Sequence, residues 1–178
     1  MDTEISFLGK VERKDDILTV VDFVLLKQQV SYASTILDKE ELGKFYESLM
    51  DKGENPSDWK VWIHSHAAMV AVFSTTDEDT IKSFDLEVPT DNWFLSIVMN
   101  HAGDLNARID VFYPLHVTLE KLEWDISFDD PILMQAIKLE IAQKVSKLTR
   151  YHRDNTNWRE VLKRIKRRVP TQIILAGE

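Results

Sequence analysis

The chain has 178 residues, of which 44% are apolar and 29% charged, a composition typical of one globular domain. It contains no cysteine, which excludes disulfides, iron–sulfur clusters, thiolate zinc sites and a cysteine nucleophile, so a metal would need histidine and carboxylate ligands. The net charge of −8 disfavours nucleic acid as a partner. No apolar run approaches the ~20 residues that span a bilayer, and the first residues do not resemble a signal peptide, so we expect a soluble, cytoplasmic protein.

The first half of the chain predicts strands, then a helix, then a buried strand and a second helix. Residues 1–36 are rich in β-branched and aromatic side chains, which are typical of strands. Asp38 is a candidate N-cap, and apolar residues follow it at helical spacing. In chain order we predict strands over residues 4–12, 17–26 and 28–36, a helix over 37–50, a strand within 59–73 and a helix over 74–84.

The second half predicts a hairpin, a further strand and two helices. Gly103 and Asp104 suit a hairpin turn, and Pro131 suits the first turn of a helix. In chain order we predict strands over residues 93–100, 107–114 and 116–128 and helices over 132–148 and 157–168. This order describes an α/β or α+β fold, a mixed β-sheet flanked by helices, with one domain over residues 1–128 and a C-terminal helical extension over residues 129–178.

The chemically informative segment is a pair of histidines at the end of the buried strand. Because side chains alternate between the two faces of a strand, His64 and His66 project from the same face. Asp77 follows in the first turn of the next helix, from which its carboxylate could return to the same end of the sheet. Two imidazoles and a carboxylate are ligands that zinc accepts, and they leave a fourth position open.

The same residues also have structural interpretations without chemistry. Paired histidines in a strand more often face solvent or form hydrogen bonds than bind a metal. Ser74 and Asp77 have the spacing of a capping box, in which a hydroxyl and a carboxylate satisfy the first amides of a helix. Two further pairs have that spacing, Thr75 with Glu78 and Thr76 with Asp79.

The segment from His64 to Asp77 resembles the fingerprint of the JAMM metalloprotease family, also called JAB or MPN-plus. That fingerprint is H-x-H, seven residues, then S-x-x-D, and here it reads HSHAAMVAVFSTTD. The family also carries an upstream glutamate, and Glu4 in the segment EISFLG occupies the corresponding place. The resemblance covers roughly residues 1–115 and does not extend to the C-terminal helices.

The resemblance implies a zinc hydrolase of the JAMM type. It makes His64, His66 and Asp77 the zinc ligands, Glu4 the general base for the attacking water, and Ser74 the residue that stabilises the oxyanion. The implied reaction is hydrolysis of a peptide or isopeptide bond after the C-terminal glycine of a ubiquitin-like protein or small modifier. Such an enzyme would act on a ubiquitin-like protein or a peptide, in the cytoplasm.

Two features leave alternatives open at this site. The family usually has proline directly after the second histidine, whereas this chain has Ala67, so we expect a looser loop there. Glu4 lies near the chain terminus, where an exposed acid is the structural interpretation. Other acids nearby are Glu12, Asp15, Asp16 and Asp22. Glu4 is the preferred base because the first three lie in a charged turn and the fourth interrupts an apolar strand.

Two other functional classes compete with the hydrolase. One is a non-catalytic scaffold of the MPN type, which predicts broken metal ligands. The other is a binding module that uses the basic helix over residues 159–168 to hold an acidic partner or nucleic acid, although cations near a helix C-terminus more often face solvent. The basic residues are Arg159, Lys163, Arg164, Lys166, Arg167 and Arg168. Asn100 and Arg108, which flank the turn at Gly103, could line the groove beside the metal, but polar residues of a hairpin usually only face water, which is the preferred interpretation.

Overall fold

The computed structural model of the chain describes residues 3–87, 92–125 and 131–148. Over these residues the fold is mixed α/β, with two β-sheets and three α-helices. The strands are β1 (Ser6–Lys14), β2 (Ile17–Val24), β3 (Gln28–Val30), β4 (Thr35–Leu37), β5 (Val61–Ser65), β6 (Trp93–Met99), β7 (Leu105–Val111), β8 (Val117–Leu119) and β9 (Val145–Lys147). The helices are α1 (Lys39–Asp51), α2 (Thr75–Glu87) and α3 (Pro131–Lys144). None of these helices is long and apolar enough to cross a membrane.

The larger sheet is mixed, as the sequence predicts. Its strand order is β2-β1-β5-β6-β7-β8, and β5 with β6 is the parallel pair, whereas the other neighbours are antiparallel. Parallel neighbours need a crossover connection, and α2 lies in the crossover between β5 and β6. The start of α2 therefore lies beyond the C-terminal end of β5, where the histidine pair is.

Helix α1 and the inner strands form the core. Asp38 caps α1 as predicted, because its Oδ1 accepts hydrogen bonds from the amides of Glu40 and Glu41 at 3.0 and 3.1 Å. The buried face of α1 packs on Leu26 and Trp59, which lie in the segments before β3 and β5. A second cluster centres on Val11, Val61 and Leu95 of β1, β5 and β6. These clusters fix the position of β5 within the sheet.

Two predicted strands are shorter than expected. The strand over residues 28–36 is instead two strands, β3 and β4, because the chain turns back at Ser31 and Ser34, whose hydroxyl oxygens lie 2.6 Å apart. Of the strand over residues 116–128, only Val117–Leu119 pairs with β7. Residues 120–125 are not in a strand, and 126–128 lie outside the described residues.

The predicted helix over residues 132–148 ends early. Helix α3 stops at Lys144, and Val145–Lys147 form β9, which pairs in parallel with β3 in the three-stranded sheet. Pairing with a strand more than 110 residues earlier overrides the local helical periodicity. Part of the predicted C-terminal extension is thus joined to the N-terminal half of the chain. The predicted helix over 157–168, with its basic residues, lies outside the described residues.

Candidate metal centre

The two histidines converge at the end of β5, as the two-residue spacing predicts. His64 lies in β5 between Ser6 of β1 and Val98 of β6. His66 follows the last residue of β5. Its amide donates a hydrogen bond to the carbonyl of Met99 in β6 at 2.8 Å, so the backbone at His66 continues along the direction of β5. Both side chains are buried, and their Nε2 atoms lie 3.2 Å apart.

Asp77 reaches the histidines from the first turn of α2. Its carboxylate oxygens lie 3.3 Å from His64 Nε2 and 3.1 Å from His66 Nε2. Ser74 caps the helix, because its Oγ accepts a hydrogen bond from the Asp77 amide at 3.3 Å. The Ser74 amide and hydroxyl both donate to Asp77 Oδ2, at 2.6 and 2.7 Å. The capping interpretation is therefore confirmed, and the same hydrogen bonds aim the carboxylate at the histidines.

Glu4 is buried beside His66 rather than exposed at a frayed terminus. Ser6 pairs with His64 in the antiparallel β1–β5 register, and the same register extended by two residues places Glu4 opposite His66. The Glu4 amide donates to the carbonyl of Ser31 at 3.0 Å, which anchors this segment. Glu4 is 7% exposed, and its Oε1 lies 4.0 Å from His66 Nε2.

The hydrogen-bond partner of His66 fixes which of its nitrogens faces the site. The carbonyl oxygen of Val70 lies 3.0 Å from His66 Nδ1, and a carbonyl only accepts, so Nδ1 carries the hydrogen. In the neutral ring, Nε2 then presents a lone pair to Asp77 Oδ2, a second acceptor at 3.1 Å. Two acceptors so close repel each other unless a cation, either a proton or a metal ion, lies between them. This tautomer is the one that a metal-ligating histidine needs.

Burial and charge set the protonation of the other groups in the metal-free site. Burial lowers the pKa of His64 although Asp77 opposes the change, which favours the neutral, metal-binding imidazole. Burial alone would raise the pKa of the Asp77 carboxyl, but hydrogen bonds from His64 and Ser74 outweigh it and hold that pKa well below its usual range. Burial raises the pKa of Glu4 to about 7, with His66 lowering it and Asp77 raising it further.

The three predicted ligands fit a metal ion. His64, His66 and Asp77 each offer one ligand atom, these atoms all lie within 4.8 Å of one another, and all three residues are buried. Within the part of the chain that the structure describes, this is the group of histidines and acids that could hold a metal.

A small cleft opens beside this group. Glu4, His64 and Asp77 line it together with hydroxyl side chains from two directions, namely the β3–β4 turn and helix α2. Those hydroxyl residues are Ser34, Thr35, Thr76 and Thr80. Polar side chains therefore line much of this cleft.

Ala67 has a backbone conformation that excludes proline at this position. Its backbone φ is +45°, a left-handed value that the proline ring excludes. The loop is also held at several points: the Met69 amide donates to the His66 carbonyl at 2.7 Å, and the His101 amide donates to the Ala67 carbonyl at 2.8 Å. Asn100 adds a side-chain hydrogen bond to the Met69 carbonyl at 3.0 Å. Contacts with the β6–β7 turn thus fix the loop in which the Val70 carbonyl contacts the His66 side chain.

Three contacts at or near the site were not predicted from the sequence. The contact of the Val70 carbonyl with His66 could not be predicted from the sequence, because a sequence motif specifies side chains and not the positions of backbone groups. The Trp62 indole stacks on the His64 ring at 4.0 Å between centroids, which its position two residues earlier on the same face could have indicated. Arg108 was expected to face water, and this was wrong: it is 5% exposed and pairs with Glu78 and Asp110. Its position two residues from Asp110 in an apolar strand was the available signal.

No family model matches the chain, and comparison with the curated proteins gives no match either.

Proposed function

We propose that the chain is a zinc-dependent hydrolase that cleaves a peptide or isopeptide bond. The observation that carries the proposal is the convergence of Glu4 with His64, His66 and Asp77 at one buried point beside an open cleft. Four residues from three separate parts of the chain meet there. A capping box alone requires only Ser74 and Asp77, and leaves the burial of Glu4 and both histidines unexplained.

The donor set and its spacing favour zinc. Zinc takes imidazole nitrogens and carboxylate oxygens at about 2.0–2.1 Å in tetrahedral sites, so neighbouring ligand atoms should lie about 3.3 Å apart. The Nε2 atoms of His64 and His66 lie 3.2 Å apart, and Asp77 places Oδ1 3.3 Å from His64 Nε2 and Oδ2 3.1 Å from His66 Nε2. With one ligand atom taken from each residue, the three atoms all lie within 4.8 Å of one another. A bound zinc ion would supply a Lewis acid and lower the pKa of a water ligand to about 7.

Glu4 has the position and the proton affinity of a general base. Its carboxylate lies beside His66, within the cleft, where it can take a proton from the attacking water. The protonated Glu4 can then donate that proton to the nitrogen that leaves when the amide bond breaks. Burial raises the pKa of Glu4 to about 7 when no metal is bound, and a carboxylate with a raised pKa is a better proton acceptor than an exposed one, which supports this role.

Ser74 is proposed to act on the oxygen that becomes negatively charged. Its hydroxyl donates to Asp77 Oδ2 at 2.7 Å in this structure, so it lies at the edge of the cluster. Rotation about its χ1 angle would direct the hydroxyl to a substrate carbonyl oxygen, whereas its amide would keep its hydrogen bond to Asp77. Removing one such donor typically slows an acyl-transfer step by ~10²–10³.

The substrate class follows from the resemblance to the JAMM family rather than from the cleft. That resemblance favours a bond after the C-terminal glycine of a ubiquitin-like protein or small modifier. The hydroxyl-lined walls of the cleft are compatible with an extended peptide backbone, which offers amide donors and acceptors. The acidic groups Glu4 and Asp77 disfavour an anionic side chain next to the scissile bond.

Metal content tests the proposal first. The purified protein is supplied with zinc, dialysed and measured by elemental mass spectrometry beside the His64→Ala/His66→Ala double variant. We expect about one zinc per wild-type chain and none in the variant. Absence of zinc from both proteins would refute the hydrolase.

Activity is then tested on conjugates of ubiquitin-like proteins, with and without a chelator. Glu4→Gln is the matched control, because it preserves the three ligands and the shape of the side chain but removes the base. We expect this variant to retain zinc and to lose turnover. A protein that binds zinc and cleaves no conjugate or peptide, with Glu4 intact, would instead favour the non-catalytic scaffold.

A further inference from the structure

Arg108 on β7 lies at the centre of a partly buried ion-pair network near the candidate metal centre. Its Nε donates to Asp110 Oδ2 at 2.9 Å. Both terminal nitrogens donate to the Glu78 carboxylate, Nη2 at 2.9 Å to Oε2 and Nη1 to Oε1. This is the two-pronged arrangement in which a planar guanidinium fixes a carboxylate in orientation as well as distance.

The contacts of Arg108 bracket the turn that delivers Asp77. Phe73, directly before Ser74, lies under the guanidinium, with Arg108 Cζ 4.8 Å from the ring centroid. Glu78 comes directly after Asp77. One side chain therefore holds both flanks of the four-residue segment 74–77, which contains the helix cap and the proposed metal ligand.

Arg108 is itself held from the edge of the sheet. Asp110 is fully buried, and its other oxygen accepts hydrogen bonds from His116 Nε2 at 3.0 Å and Thr118 Oγ1 at 2.8 Å. These bonds leave Asp110 little freedom, and through it they fix Arg108. Thr118 lies in β8, so the network runs from the edge strand to the first turn of α2.

We propose that Arg108 is a positioning residue for the metal centre, which it serves by clamping Glu78 and Phe73 so that Asp77 faces His64 and His66. The inference rests on the proposed metal-binding function. The ends of a helix fray easily, so contacts on both sides of residues 74–77 keep Asp77 in place. A carboxylate that moves freely must be ordered when the metal binds, which weakens the affinity.

A purely structural interpretation gives Arg108 one task, which is to neutralise buried Asp110. The two interpretations differ at Glu78, because Glu78→Ala breaks the clamp and leaves the Arg108–Asp110 pair intact. Glu78→Ala is preferred to Arg108→Ala, because removing Arg108 would leave the buried Asp110 carboxylate unpaired and could unfold the protein. Asp79→Ala is the matched control: it removes the same charge one residue later, from a side chain that is 74% exposed and pairs with Lys82.

The test is titration of each metal-free protein with Co²⁺, followed by visible absorption, and competition of Zn²⁺ against a chelating dye. Outer partners of metal ligands typically contribute 10–100-fold to affinity, so we expect Glu78→Ala to bind Zn²⁺ about tenfold more weakly. Its Co²⁺ absorption band should also change, because the band reports coordination geometry. Asp79→Ala should match the wild type in both measurements, and Glu78→Gln should lie between. Equal affinity and equal spectra for Glu78→Ala and wild type would overturn the inference.

A metal-free readout separates failure of this inference from failure of the metal site. The Ser74 amide donates to Asp77 Oδ2, so its hydrogen exchange, followed by NMR, reports whether the turn is held. We expect exchange at Ser74 to accelerate at least about tenfold in Glu78→Ala and to be unchanged in Asp79→Ala. If the wild type bound neither metal, the proposed function would fail, and unchanged exchange in Glu78→Ala would independently refute the clamp.

Discussion

Replacing Gly9 with alanine should destabilise the protein, because β1 and β5 approach each other too closely for a side chain there. Gly9 pairs with Val61, and a Cβ on Gly9 would lie 3.0 Å from Val61 Cβ and 3.3 Å from Val20 Cγ1. Carbon atoms pack best at about 3.5–4.0 Å. The Val61 Cβ is fixed to the backbone, so the strands themselves would have to separate.

The expected change in the free energy of unfolding of Gly9→Ala is the sum of two opposing effects. Overpacking of this kind costs about 1–3 kcal/mol, whereas alanine lowers the entropy of the unfolded chain and returns about 0.4–1 kcal/mol. The net loss in the free energy of unfolding should be about 1–2 kcal/mol, which lowers Tm by roughly 2–8 °C in a protein of this size.

Gly43→Ala supplies the matched control, because the chemical change is the same and the surroundings are not. Gly43 lies within α1, and a Cβ there meets no heavy atom within 4 Å. The helix should gain about 0.5–1 kcal/mol, so this variant should melt above the wild type. Thermal and urea unfolding followed by circular dichroism would measure both variants. A Gly9→Ala variant as stable as Gly43→Ala would refute the close approach of β1 and β5.

Four further changes test the site itself. Asp77→Asn should reduce zinc retention, because it removes the charge between the histidines; dialysis and elemental analysis would show unchanged zinc if the assignment were wrong. Ser74→Ala should still bind zinc, but its free energy of unfolding should be lower by about 1 kcal/mol because the helix cap is lost, and its turnover should be slower by ~10²–10³. Normal turnover would mean that Ser74 is a helix cap only. Ala67→Pro should lose zinc and stability, because a proline cannot adopt φ +45°, and a wild-type melting curve would contradict that backbone. With a chelator present to keep the protein metal-free, the free energy of unfolding should fall as pH rises from about 4.5 to about 7, because Glu4 in the folded protein keeps a proton that the unfolded chain releases. If the free energy of unfolding of Glu4→Gln fell equally with pH, Glu4 would be excluded as the cause.

The local features of the site could be predicted because each depends on a few neighbouring residues. The period of two in a strand brings His64 and His66 together, and the capping box brings Ser74 to Asp77. Asp38 caps α1 for the same reason. In these cases the number of residues between two positions is enough to predict that their side chains are close in space.

Other features depended on residues far apart in the chain. The periodicity of residues 132–148 favours a helix throughout, yet Val145–Lys147 form β9 because the free edge of β3 offers a better partner for their backbone groups. Arg108 lies near a turn, where solvent exposure is the usual expectation, yet its guanidinium also pairs with Glu78, which is 30 residues earlier in the chain. Local propensity carries no information about either partner.

The sequence by itself determined the metal-ligating chemistry: which residues could hold a cation, and that histidine and carboxylate must do so in a chain without cysteine. Only the tertiary structure decided that the site is buried, that Glu4 joins it through the β1–β5 register, and that the Val70 carbonyl selects the His66 tautomer. The physical reason is that ligand type resides in side chains, whereas burial, protonation and orientation arise from long-range strand pairing and from backbone groups that no motif encodes.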